Sequence, residues 1–141
     1  MSDFPKRILH ADDDPMIRDI VKRALERYEE IDYAQCEDGK QLLETAIAFK
    51  PDLIILDLTM PNMDGTDVMA MISASEDIHA KIVLFTGHKD VKMTPDYEKI
   101  GVIGVLHKPI SVGVLPERIR YFWVQAQGQE GIPGGGSSGL M

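Results

Sequence analysis

The chain has 141 residues, a formal net charge of −8 and an apolar fraction of 44%, which is the size of one domain with enough apolar content for its own core. The acidic balance argues against a broad phosphate-binding surface for nucleic acid, the single cysteine, Cys36, rules out an internal disulfide, and no apolar run approaches the roughly 20 residues of a membrane span. The amino-terminal residues lack the apolar core of a secretion signal, so a cytoplasmic protein without membrane partners is expected.

Arg7-Ile8-Leu9-His10-Ala11 reads as a first strand, closed by Asp12-Asp13-Asp14. Ile17, Ile20, Val21, Ala24, Leu25 and Tyr28 recur at helical spacing and predict a helix over 15–28, with Asp14 as its cap and Pro15 in its first turn. Residues 31–36 alternate apolar and polar, as an edge strand does. A helix over 40–50 is stopped by Pro51. Leu53-Ile54-Ile55-Leu56 is apolar on both faces, which suits a central parallel strand, and Asp57 ends it. A short helix is expected over 66–75, a fourth strand over 81–85 ending at Thr86-Gly87, and a brief polar helix from Thr94-Pro95 to Gly101. A fifth strand over 102–106 and a last helix over 113–127 complete the domain. Residues 128–141, rich in Gly and Ser, predict a flexible tail, either a truncated linker or a remnant of expression engineering.

Strands alternating with helices imply an α/β domain over residues 1–127, a five-stranded parallel sheet with helices on both faces. Placing the weakly alternating second strand at an edge gives the flavodoxin-like order 2-1-3-4-5. The first and third strands are then neighbours, and Asp12, Asp13 and Asp57 converge at their carboxyl ends. Two unit charges of one sign at ~4 Å cost about 4 kcal/mol at an effective dielectric near 20, so such a site calls for a cation, a raised pKa, or both. Oxygen-only ligands favour Mg²⁺ or Mn²⁺. Thr86 and Lys108 stand at two further strand ends with a hydroxyl and an ammonium. Together these are the parts needed to form an acyl phosphate on a carboxylate. Each residue alone also has a bland reading as a cap, turn or surface group; their conjunction on one sheet carries the argument.

The segments Ile8-Leu9-His10-Ala11-Asp12-Asp13-Asp14-Pro15, Pro51-Asp52-Leu53-Ile54-Ile55-Leu56-Asp57, Met60-Pro61-Asn62-Met63-Asp64-Gly65, Thr86-Gly87 and Lys108-Pro109, in this order and spacing, resemble the receiver domain of the two-component response-regulator family. The resemblance implies that Asp57 accepts a phosphoryl group from a histidine kinase or histidine phosphotransfer protein, for an unknown downstream protein target. It implies Mg²⁺ (or Mn²⁺) bound by Asp13, Asp57 and the Thr59 backbone carbonyl, with Asp12 acting largely through water. Thr86 would bond the phosphoryl group, Lys108 would contact its oxygens, and Lys108-Pro109 would be a cis peptide. The Thr59 side chain and His88 fall where family members vary and tune dephosphorylation. A receiver of this kind is not an enzyme acting on other molecules.

One position departs from the family pattern. The usual aromatic residue three places before the lysine is Val105 here, and a valine cannot rotate between buried and exposed states as a ring does. The fourth helix is also short and polar, so a mobile or atypical segment is expected at residues 89–99. Two alternatives follow. A receiver-like adaptor that works without phosphorylation draws on Val105. A haloacid-dehalogenase-type phosphatase also uses an aspartyl phosphate, but its Asp-x-Asp-Gly-Thr follows the first strand, whereas Asn62-Met63-Asp64-Gly65-Thr66 follows the third.

Overall fold

A computed structural model describes residues 3–60 and 64–130, without the side chains of residues 129 and 130. Along the chain run β1 (Arg7–Ala11), α1 (Pro15–Leu25), β2 (Asp32–Cys36), α2 (Gly39–Phe49), β3 (Leu53–Leu56), α3 (Gly65–Ala74), β4 (Lys81–Thr86), α4 (Pro95–Lys99), β5 (Val102–His107) and α5 (Val114–Glu130). The strands form one parallel sheet in the order β2-β1-β3-β4-β5. This is the expected architecture, and its logic is burial. All four side chains of β3 are fully buried, each contributing about 2 kcal/mol, so β3 belongs at the centre. Only Cys36 of β2 is buried, which places that strand at the edge.

The period of two along each strand divides the core. Leu9, Ala11, Ile54, Leu56 and Leu84 pack with α2 and α3 on one face, while Ile8, Ile55, Val83 and Phe85 pack with α1 and α5 on the other. The helix starts follow from capping chemistry. Asp14 Oδ1 accepts from Met16 N at 2.9 Å, and Asp38 and Asp64 do the same for α2 and α3.

Several boundaries differ from the sequence reading. α1 stops at Leu25; Tyr28 meets its helical spacing from a turn, its ring lying 4.8 Å from Phe4. Lys50 is the left-handed cap of α2, at φ 56°, instead of its last residue. α5 continues through Gly128 to Glu130, because one glycine costs a helix only about 1 kcal/mol. Residues 131–141 of the expected tail, and Pro61, Asn62 and Met63, lie outside the described residues. Among the described residues no helix is long and apolar enough to cross a membrane.

Cys36 is buried at the end of β2. Burial, with Asp38 adding to it, pushes its thiol from 9.0 up to about 12. The stability this group carries is therefore full below pH 9 and is lost as pH rises through about 12. At neutral pH we expect a disulfide reagent to label Cys36 at least about a hundred-fold more slowly in the native protein than in denaturant. Equal rates would mean that the β2 edge is open in solution.

Candidate functional site

The parallel register brings four strand ends to one rim. Ala11 pairs with Leu56, and Leu56 with Leu84. Asp12 and Asp57 therefore follow neighbouring strands directly, with Asp57 N donating to Ala11 O at 3.1 Å. Lys108 N donates to Thr86 O at 2.7 Å, which fixes the ends of β4 and β5 to each other. Carboxylate oxygens of Asp12, Asp13 and Asp57 all lie within 4.8 Å of one another. Asp12 and Asp57 are buried and Asp13 is exposed. The cluster thus has two inward carboxylates and one at its mouth.

Each buried carboxylate is held differently. Asp12 Oδ1 accepts from Asp14 N at 3.0 Å and its Oδ2 from Lys108 Nζ at 2.8 Å. Its backbone carbonyl accepts from Arg18 Nη1 at 2.7 Å, which ties the first turns of α1 to the rim. Asp57 Oδ1 accepts from both Thr59 N, at 3.0 Å, and Thr59 Oγ1, at 2.9 Å. Asp57 Oδ2 lies 3.5 Å from Lys108 Nζ. Lys108 thus bridges the two carboxylates and leans toward Asp12.

These contacts split the two acids. Burial alone would raise the Asp12 carboxyl, but the nearby His10 ring and the donors Lys108 and the Asp14 N–H outweigh burial and bring it down to about 2. Asp57 goes the other way: burial raises it, the Thr59 N–H opposes, and the Asp12 charge raises it further. Asp12 is therefore a fixed anion, and Asp57 is the more basic and more nucleophilic of the pair. The donor set is all oxygen and part-exposed, which fits a small hard cation that keeps some of its water.

Of the remaining predicted residues, Thr86 is fully buried, and its hydroxyl accepts from His88 N at 3.0 Å. His88 is exposed, and it is through its backbone that it joins this turn. Val105 is half-buried against the α2/α3 side of the core, against which Val91, Tyr97 and Ile100 also pack. Lys108-Pro109 is a cis peptide. α4 is five residues long and buries none of them.

Three features escaped the sequence reading. The Thr59 side chain bonds Asp57 directly, although its spacing two residues on is that of an Asx-type turn. His10, in the middle of an apolar strand, is fully buried beside Asp12. His107 Nε2 donates to Val91 O at 2.9 Å and tethers the β4–α4 loop to β5. Removing that tether in His107→Ala is expected to speed amide hydrogen exchange across residues 89–93 by about five-fold, one hydrogen bond's worth. Unchanged exchange would mean that α4 packing, not His107, holds the loop.

The response regulator receiver domain family profile matches residues 8–120. The transcriptional regulatory protein PdtaR of Mycobacterium tuberculosis is 36% identical over 112 residues, covering 79% of this chain and 53% of that protein. The chemotaxis protein CheY of Listeria monocytogenes is 30% identical over 105 residues, covering 74% of this chain and 87% of that protein. The chain spans about half the length of the first of these and 51% of the DNA-binding response regulator MtrA of Mycolicibacterium smegmatis. Among solved structures, the signal receiver domain of a protein described as a Luxo repressor, from Vibrio parahaemolyticus, superposes with a TM-score of 0.75 at 28% identity. That superposition covers 90% of this chain and 95% of that one. Since the matched span runs from β1 into α5 and takes in all four strand ends of the rim, the chain belongs to the response regulator receiver domain family, the signalling modules of two-component systems.

Proposed function

We propose that this receiver takes a phosphoryl group on Asp57 from a histidine kinase or histidine phosphotransfer protein, in a Mg²⁺-dependent reaction, and passes the change to a downstream protein. The observation that carries the reading is the convergence of the Asp12, Asp13 and Asp57 carboxylates within 4.8 Å at one rim, with Lys108 Nζ 2.8 Å from Asp12 and 3.5 Å from Asp57. In the transfer, Asp57 Oδ2, the oxygen without Thr59 donors, attacks phosphorus, and the P–N bond to the donor imidazole breaks, its electron pair staying on the ring nitrogen. Lys108, 3.5 Å from that oxygen, is within reach of the incoming phosphoryl oxygens. Thr86 offers the same group a hydroxyl once it turns from the His88 N–H. Asp12, Asp13, Asp57 and the Thr59 carbonyl would hold the cation, which when bound offsets the phosphoryl charge. Thr59 and His88 would modulate dephosphorylation.

On this reading the domain assists only its own phosphorylation and dephosphorylation, works in the cytoplasm, and contacts no nucleic acid itself. With Val105 in the aromatic position, the signal would leave through the His107-tethered loop and the short α4. A phosphorylation-independent adaptor is the second reading, favoured by the half-buried Val105.

Incubation with a small phosphoramidate donor and Mg²⁺ should add one phosphoryl group to the intact mass. Borohydride reduction of the acyl phosphate and peptide sequencing should place it at residue 57, and chelation should prevent it. A label elsewhere, or one indifferent to chelation, overturns the proposal; a label on Asp57 that changes no partner's affinity favours the adaptor. Asp13→Asn should weaken Mg²⁺ binding by about ten-fold. Asp14→Asn should leave it within about two-fold, because Asn still caps α1. Equal effects in a calorimetric titration would count against Asp13 as a ligand.

A further inference from the structure

Among the described residues, His10 Nε2 is the buried polar side-chain atom that has no hydrogen-bond partner. Such an atom needs a reason. His10 is fully buried, on the α1/α5 side of β1, with its ring 6.2 Å from that of Phe85. Its other nitrogen, Nδ1, lies 3.3 Å from Tyr33 Oη, which in turn accepts from Gln35 Nε2 at 2.9 Å. Gln35 has used an N–H on the phenol oxygen, so the phenol's own O–H is free to donate to Nδ1. With the phenol donating, Nδ1 is the acceptor and the ring proton is on Nε2, facing Asp12.

The Nε2–H faces Asp12 Oδ2 at 3.6 Å, too far for a hydrogen bond. That oxygen is occupied by Lys108 Nζ at 2.8 Å, and the same ammonium lies 3.5 Å from Asp57 Oδ2. An anion added at Asp57 draws the ammonium toward itself and away from Asp12. Asp12 has no solvent exposure, so beside any cation it helps to hold, the donor lost from Oδ2 must be replaced from within the protein.

We propose that His10 is a positioning residue held in reserve: when Lys108 leaves Asp12 Oδ2 for an anion on Asp57, the His10 Nε2–H closes on that oxygen and keeps Asp12 oriented. The relevance of the anion rests on the phosphoacceptor reading; the exchange of donors does not. Gln35, Tyr33 and His10 form a chain of hydrogen bonds from the edge strand to the rim.

The test is side-chain ¹H–¹⁵N NMR of the His10 ring in the full chain, assigned by its loss in His10→Leu. The proton should sit on Nε2 in the free wild type. It should move downfield in Lys108→Met with no ligand present, and likewise in wild type given Mg²⁺ and beryllofluoride. A proton on Nδ1, or an Hε2 resonance unchanged by Lys108→Met, overturns the proposal. Tyr33→Phe supplies a second variant: without its O–H the single Nε2–H tautomer should be lost, and its retention would break that chain of hydrogen bonds.

In titrations, His10→Leu should weaken Mg²⁺-dependent beryllofluoride binding by about ten-fold, and His10→Gln, which keeps an N–H donor, should recover most of that. His10→Leu with wild-type affinity would make His10 mere filling. A wild type that takes no beryllofluoride overturns the phosphoacceptor reading instead, and the Lys108→Met comparison, which needs neither metal nor anion, still decides the role of His10.

Discussion

Asp57→Asn is expected to abolish Mg²⁺-dependent phosphoryl incorporation, by at least about a hundred-fold, because an amide oxygen is not a competent nucleophile, and at the same time to stabilise the fold. The second half has its own cause. Burial and the neighbouring Asp12 charge raise the Asp57 carboxyl above its ordinary value, so its ionised form is disfavoured in the folded state. A group raised in this way favours the fold below its unfolded pKa and loses that contribution as pH rises through its folded value. At neutral pH wild type therefore carries a penalty that Asn removes, while Asn Oδ1 keeps the two Thr59 donors. The expected gain is about 1 kcal/mol, the scale of one stabilising substitution, or a few degrees of unfolding midpoint. Asp64→Asn is the control, since Asn caps α3 as well as Asp does; its labelling should stay within about two-fold of wild type. Intact-mass labelling and calorimetry on the three proteins check both halves. A labelled Asp57→Asn sinks the site, a destabilised one sinks the charge argument, and loss of labelling in Asp64→Asn alone would revive the phosphatase reading.

Lys108→Met should cost about 3 kcal/mol in the absence of divalent cations, since removing one partner leaves Asp12 buried and charged. For a domain of this size that is roughly 10 °C of midpoint. Asp12 has no exposure and Lys108 little, and the Lys108 ammonium also lies 5.2 Å from the Phe85 ring centroid. Asp12, held down to about 2, carries stability that is full above its ordinary 3.8 and is lost as pH falls through about 2. Lys108→Met should shift that loss to higher pH. Added Mg²⁺ should restore part of the midpoint in the variant more than in wild type, because the cation takes over the role of the ammonium. In a double-mutant cycle with Asp12→Asn the coupling should reach about 2 kcal/mol. Additive effects would mean that Lys108 faces solvent and that the 2.8 Å contact is not the resting arrangement.

The central and edge strands were legible because burial writes itself into local pattern. Leu53 to Leu56 has no polar face to turn to water, and 32–36 has little apolar surface to hide. From those two placements the order of the sheet, and with it the meeting of Asp12 and Asp57, followed. Helix ends were legible where a cap announces them, at Asp14, and not where a helix fades into a turn, at Tyr28, or runs through a tolerated glycine, at Gly128. Val105 could be identified as a departure by its spacing from Lys108, but its packing against the α2/α3 side of the core depends on which face of β5 it takes.

The chain by itself therefore determined the domain class, the sheet order and the identity of the acidic, hydroxyl and lysine groups at the strand ends, because these depend on apolar period and turn chemistry, which are local. Tertiary structure alone decided what distinguishes those groups from one another. That Asp12 is driven to about 2 while Asp57 is raised, that Lys108 leans to one of them, and that His10 waits beneath with an unused proton are consequences of distances between residues as much as 96 positions apart. Electrostatic energies between buried groups vary with separation and with the water excluded around them, and neither quantity exists until the chain has folded.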